Sequence, residues 1–178
     1  MKIKKIAAGI LVLLLMLSTF LCLAACEEKP KEPSVEDDKP SAAETSIFTV
    51  SYKNTTLELG KDAKAALKKL GDPSSDPKHV ASCGEGVGEQ WQYTYPSIVL
   101  FTVKDGESET IDAVALRDDI AKTGKGITIG STEAEMTAAY GEPTKQGNKC
   151  RYQKDSCTLE FVLDDAGIVT AVEIRIEA

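Results

Sequence analysis

Positive charge is scarce in this 178-residue chain, where 21 lysines and arginines face 28 aspartates and glutamates for a formal charge of −7. Nucleic-acid phosphates demand a basic footprint, so nucleic acid is excluded as a partner. Lys2, Lys4 and Lys5 stand at the very start, and a chain without them carries −10, which argues against docking on anionic lipid as well. Histidine occurs once, as His79, and no two of the five cysteines form a close Cys-x-x-Cys pair. That pair is the spacing that marks structural zinc sites. No catalytic signature is visible elsewhere, so the sequence points to binding rather than catalysis and calls for no cofactor.

What the chain does have begins at its N-terminus. The three lysines precede an almost wholly apolar run from Ile6 to Phe20, and small residues follow up to Cys26. Charge at the start and small residues at the end are the marks of a secretory signal rather than of a membrane span. Leu23-Ala24-Ala25-Cys26 resembles the lipobox of bacterial lipoproteins, in which the signal is cleaved before the cysteine and the sulfur receives diacylglycerol. The resemblance makes residues 1–25 a signal peptide and Cys26 the lipid attachment site, and puts the rest on the extracytoplasmic side of a bacterial cell membrane. Two acyl chains anchor stably where one does not.

The stretch from Glu27 to Ser46 is rich in proline and acidic residues, with Val35 its only sizeable apolar side chain. It cannot bury enough surface to offset its ordering entropy. Residues 26–46 therefore read as a lipid-attached, disordered acidic tether, and residues 47–178 as the folded domain.

Within that domain one pattern occurs twice: LELGKDAKAALKKLGDP from Leu57 and ITIGSTEAEMTAAYGEP from Ile127. Two alternating apolar residues, a glycine, an alanine-rich run, and a closing glycine and proline recur in order, the sign of a unit built twice. Ala63, Ala66, Leu67 and Leu70 fall on one helical face, with Gly71 and Pro73 to end the helix. In the second copy Ser131 or Thr132 can cap the helix, the latter with Glu135 three residues on as a capping box. Strands are expected at Phe48–Tyr52 and Leu57–Leu59 as a hairpin, then around Trp91–Tyr95, Ile98–Val103 and Ile111–Arg117. The second copy continues with strands near Lys149–Gln153, Cys157–Leu163 and Ile168–Ile176. Asp72–Glu89 reads as a long loop, and long loops are often functional. The expected fold class is α+β, with two tandem repeats (about 47–118 and 119–178). Each is a helix plus a three-stranded meander, and the two meanders form one antiparallel sheet with both helices on one face.

Two such segments behind a lipobox resemble a group of clostridial-type secreted lipoproteins of unknown function. More remotely they are similar to the tandem-repeat fold of the beta-lactamase inhibitory proteins and to small outer-membrane assembly lipoproteins of the SmpA/OmlA type. The resemblance covers Leu57 to Ala178 and carries no site residue with it.

Candidate chemistry is sparse. Cys150 and Cys157 flank a turn and form a possible disulfide, with a bond from Cys83 to either of them, or three free thiols, as alternatives. His79 with Cys83, Cys150 and Cys157 makes up a nominal zinc set, and Cys83 with His79 a nominal thiol nucleophile and base. These two are the basis for an alternative thiol- or metal-dependent hydrolase. The glycine-rich Gly84–Gly88 segment lacks the lysine and following helix of a phosphate loop. Trp91, Tyr93 and Tyr95 alternate and so share one face of a strand, which makes them the partner-binding candidates, with burial in a core as the rival reading. The expected function is that of a membrane-anchored, monomeric binding module. Its partner is a protein or glycan met by the aromatic sheet face and the Asp72–Glu89 loop. An inhibitor of an envelope hydrolase and a passive envelope scaffold are the alternatives.

Overall fold

The computed structural model describes residues 47–80 and 88–177, all within one compact unit. The first hairpin forms as its alternation requires, with β1 (Thr49–Tyr52) pairing β2 (Thr55–Glu58). Lys53 and Asn54 take the positive φ values of 47° and 58° that suit a two-residue hairpin turn.

Helix α1 (Ala63–Leu70) buries Ala63, Ala66 and Leu70 and turns its lysines to water. Asp62 caps its start by accepting from the Lys64 amide at 3.0 Å. Gly71, at φ 75°, ends it and donates its N–H to the Leu67 carbonyl. Helix α2 (Glu133–Tyr140) starts on the capping box of Thr132 and Glu135 and buries only Met136.

The remaining strands are β3 (Lys78–Val80), β4 (Glu89–Thr94), β5 (Ile98–Asp105), β6 (Ser108–Leu116), β7 (Lys122–Thr123), β8 (Thr144–Gln146), β9 (Lys149–Lys154), β10 (Cys157–Leu163) and β11 (Val169–Ile176). Eight of them form an antiparallel sheet in the order β3-β4-β5-β6-β11-β10-β9-β8, and β2-β1-β7 form a separate sheet of three. On β5 the side chains of Ile98, Leu100 and Thr102 are buried, whereas Val99, Phe101 and Val103 on the opposite face are half-buried. The covered face shares one hydrophobic core with α1, α2 and the three-stranded sheet.

The expected architecture is therefore corrected. Among the described residues the chain is mostly strand, with two eight-residue helices, and it is not a pair of helix-plus-three-stranded-meander units. Strands β3 and β8 add an edge to either end of the large sheet, and the first hairpin leaves that sheet to pair with β7. All three side chains of β8, and two of three on β3, are exposed. Such edge strands are held by backbone hydrogen bonds and leave no hydrophobic alternation to read.

The two glycine-to-proline segments themselves make matching contacts. Gly60 N–H donates to Ile111 C=O and Gly130 N–H to Val169 C=O, both at 2.8 Å. The carbonyls of Lys61 and Ser131 in turn accept from the amides of Ile111 and Val169. Each helix start is thus stitched to the large sheet, α1 to β6 and α2 to β11. At the other end, Tyr95 Oη donates to the Gly71 carbonyl at 3.2 Å and Tyr152 Oη to the Gly141 carbonyl at 2.8 Å.

Candidate binding site at the Trp91 corner

Strand β4 sends Trp91 and Tyr93 to one face of the sheet, and Tyr95 follows just beyond its end. That face is the covered one. Tyr95 is fully buried and Tyr93 nearly so, at 9% exposure, so neither can meet a partner; their expected place in a partner-binding stripe is corrected to the core. Both hydroxyls find acceptors, as buried tyrosines require. Tyr93 Oη donates to Glu109 Oε1 at 2.9 Å, and burial, reinforced by that hydrogen bond and the carboxylate's charge, pushes its pKa up to about 12. Burial likewise raises Tyr95, with Asp72 adding to the effect.

Only Trp91 stays half-buried, at the margin where the core ends. It stands opposite Thr102 on one side and His79 on the other. The His79 ring meets it edge-on, 5.5 Å between centroids and 75° between planes. Lys104 Nζ lies 4.4 Å from the indole centroid, a cation–π contact. The indole Nε1 is shut off from solvent and has no hydrogen-bond acceptor.

Behind the indole lies a polar group that sequence reading missed. Glu109, 5% exposed, accepts from Tyr93 and, at 2.7 Å, from Thr102 Oγ1, while Lys104 Nζ approaches it at 3.9 Å. The segment Lys104–Thr110 reads as a polar hairpin connection, but Glu109 sits two residues before buried Ile111 and so on the same face, which was the available signal. Gly88 has a structural task here: a Cβ at this position would fall 2.1 Å from the Lys104 carbonyl oxygen. Part of the expected Asp72–Glu89 loop is strand β3. Cys26, Cys83 and residues 84–87 lie outside the described residues.

The expected Cys150–Cys157 disulfide is corrected too, whereas the alternatives through Cys83 rest on a residue outside the described ones. Cys150 and Cys157 are free thiols. In the register of β9 and β10, Cys157 pairs with Lys154 and Cys150 with Phe161, so the two lie four residues apart along the hairpin, roughly 13 Å at strand rise. A disulfide spans about 7 Å at most between α-carbons. Burial raises the pKa of both thiols, which disfavours the reactive thiolate. His79 on β3 is six strands away from Cys150 on β9, roughly 29 Å at normal strand spacing, so the nominal zinc set does not assemble. Among the described residues no group of three or more histidine, cysteine or acidic side chains is placed to hold a metal.

No helix among the described residues is long and apolar enough to cross a membrane. No family model and no curated protein matches the chain. Solved structures similar to it at low identity include the following three. A cysteine-rich secretory protein from Staphylococcus aureus matches at 15% identity over 66% of this chain and 44% of that one, with a TM-score of 0.42. A DUF4309 family protein, YjgB, from Bacillus subtilis matches at 13% over 68% and 82%, with a TM-score of 0.40. An extracellular protein containing an SCP domain from Bacillus anthracis matches at 12% over 84% and 50%, also at 0.40. The chain spans less than half the length of the first of these and half of the third, and a likeness of this degree assigns neither fold family nor function.

Proposed function

We propose that this chain is a lipid-anchored extracytoplasmic binding module that captures a protein or glycan at the Trp91 corner. The anchor reading stands on the signal-like N-terminus and Cys26. The binding reading stands on one observation: a half-buried indole, flanked by His79 and Lys104, whose N–H has no acceptor. An unsatisfied buried donor costs about 1–3 kcal/mol, and a ligand that supplies an acceptor recovers that free energy. Aromatic anchors of this kind dominate many interfaces. With Tyr93 and Tyr95 in the core, the site contracts from a three-ring stripe to a single ring and its polar neighbours.

Trp91 is the chain's one tryptophan, so its fluorescence reports on the site directly. Titration with a cell-envelope glycan fraction, and separately with envelope proteins, is expected to shift and saturate the emission with one of the two. Emission unchanged by both would remove the binding reading in favour of a passive scaffold. For the anchor, a radiolabelled fatty acid is expected to enter the wild-type chain and not Cys26→Ser.

A further inference from the structure

We propose that the Trp91 corner takes a neutral glycan, the indole N–H donating to a sugar oxygen and Glu89 accepting from sugar hydroxyls. This rests on the binding reading above and narrows it to one ligand class.

Three features carry it. The first is the unmet donor at Trp91 Nε1, which requires an acceptor and so turns away a purely cationic ligand. The second is local charge. Glu89 and Trp91 share a face of β4, and Glu89 stands directly across from Lys104 in the β4–β5 register. With Glu109 behind, two carboxylates surround one ammonium, in a chain that is acidic as a whole. A ligand carboxylate or phosphate is repelled there, whereas neutral hydroxyl and amide groups find both donors and acceptors. The third is the shortage of exposed apolar surface. Protein interfaces gather around buried apolar and aromatic anchors, but Ile120 is the one large exposed hydrophobic among the described residues, and it lies outside this site. A sugar needs no such patch.

Reaching the buried N–H requires a neighbouring side chain to move, and Lys104, seated over the ring at 4.4 Å, is a partly exposed one. Its ammonium holds Glu109 only at 3.9 Å, longer than a hydrogen bond, and its side chain is 34% exposed. Swinging off the indole gives up the cation–π contact and turns its own donors to the ligand.

The test is calorimetric titration of the detergent-solubilised full chain, at low salt, with two probes: a neutral N-acetylglucosamine tetramer and a hyaluronan tetrasaccharide, which carries carboxylates. The neutral sugar is expected to bind saturably and at least about tenfold tighter than the acidic one. Trp91→Phe, which keeps a ring and removes the N–H, is expected to weaken it by about tenfold. Glu89→Gln, at an exposed strand position, is expected to weaken the neutral sugar and narrow the gap between the probes. Hyaluronan binding as tightly as the neutral sugar would overturn the neutral class while leaving glycan binding in place. Full affinity in both variants would overturn the site. Heat from neither sugar would overturn the glycan assignment and leave the fluorescence titration with envelope proteins to decide the broader reading.

Discussion

Raising the pH from 9 to 12 should unfold this domain through its buried tyrosines. Tyr93 and Tyr152 are 9% and 8% exposed. Burial is the main cause in both of a pKa pushed up to about 12 from an ordinary 10.0. At Tyr93 the hydrogen bond to Glu109 comes next; at Tyr152 the charges of Cys150 and Glu142 add to burial. For a group whose folded pKa is raised, the stability it contributes is fully present below the unfolded pKa and is lost as pH climbs to the folded one. The window is therefore pH 10 to 12, in which the unfolded chain sheds the phenolic proton and the native state holds it. Each of the two tyrosines costs on the order of 3 kcal/mol across that window. Tyr95 and Tyr140 shift in the same direction, again chiefly by burial. Together this is a large part of the roughly 5–15 kcal/mol that holds a typical domain folded. Urea denaturation at stepped pH should show a flat midpoint up to about pH 9.5 and a steep fall above it. Tyrosinate absorbance should then rise together with loss of circular dichroism, not ahead of it. In Tyr152→Phe the pH slope should drop by about one proton's worth. If four tyrosines ionised near pH 10 while the fold persisted, the burial argument would be wrong.

Other outcomes follow from individual contacts. Tyr95→Phe and Tyr152→Phe, each of which leaves a helix-ending glycine carbonyl without its donor, should each cost about 1 kcal/mol and add independently, as distant sites do; urea midpoints of the double variant check this. Gly88→Ala forces a methyl against the Lys104 carbonyl and should destabilise by about 2 kcal/mol or more through separation of β4 from β5. Gly106→Ala, at φ 58° with nothing near its Cβ, should cost about 1 kcal/mol through backbone strain alone. Peptide mapping after alkylation without a reductant should recover no peptide linking Cys150 to Cys157, and Cys157, half-buried where Cys150 is buried, should be alkylated first.

Much of the local structure was legible because its causes are local. Thr132 and Glu135 fall where a helix start needs acceptors for its free N–H groups, and Gly71 and Gly141 where helices must end in a positive φ. Lys53-Asn54 sits in a tight turn, and Gly106, at φ 58°, opens the one between β5 and β6. The alternation in Ile98–Val103 and Cys157–Leu163 is that of strands with one covered face. The Trp91–Tyr95 alternation correctly placed three rings on one side of a strand, yet the pattern reads the same whether that side meets water or a core.

The amino-acid order by itself thus determined the acidic character, the signal-like start, the caps, the turns and the periodicity of the apolar strands, all set by neighbours a few residues away. Only the tertiary structure decided the rest. It recruited β3, β7 and β8 through backbone hydrogen bonds that have no side-chain signature, and ran β6 beside β11. It turned Tyr93 and Tyr95 inward and kept Cys150 and Cys157 apart by register. It also brought Lys104 over the Trp91 ring and Glu109 to the hydroxyls of Tyr93 and Thr102. Each of those outcomes depends on which distant segment lies alongside, and pairing between distant strands is written in no single stretch of chain.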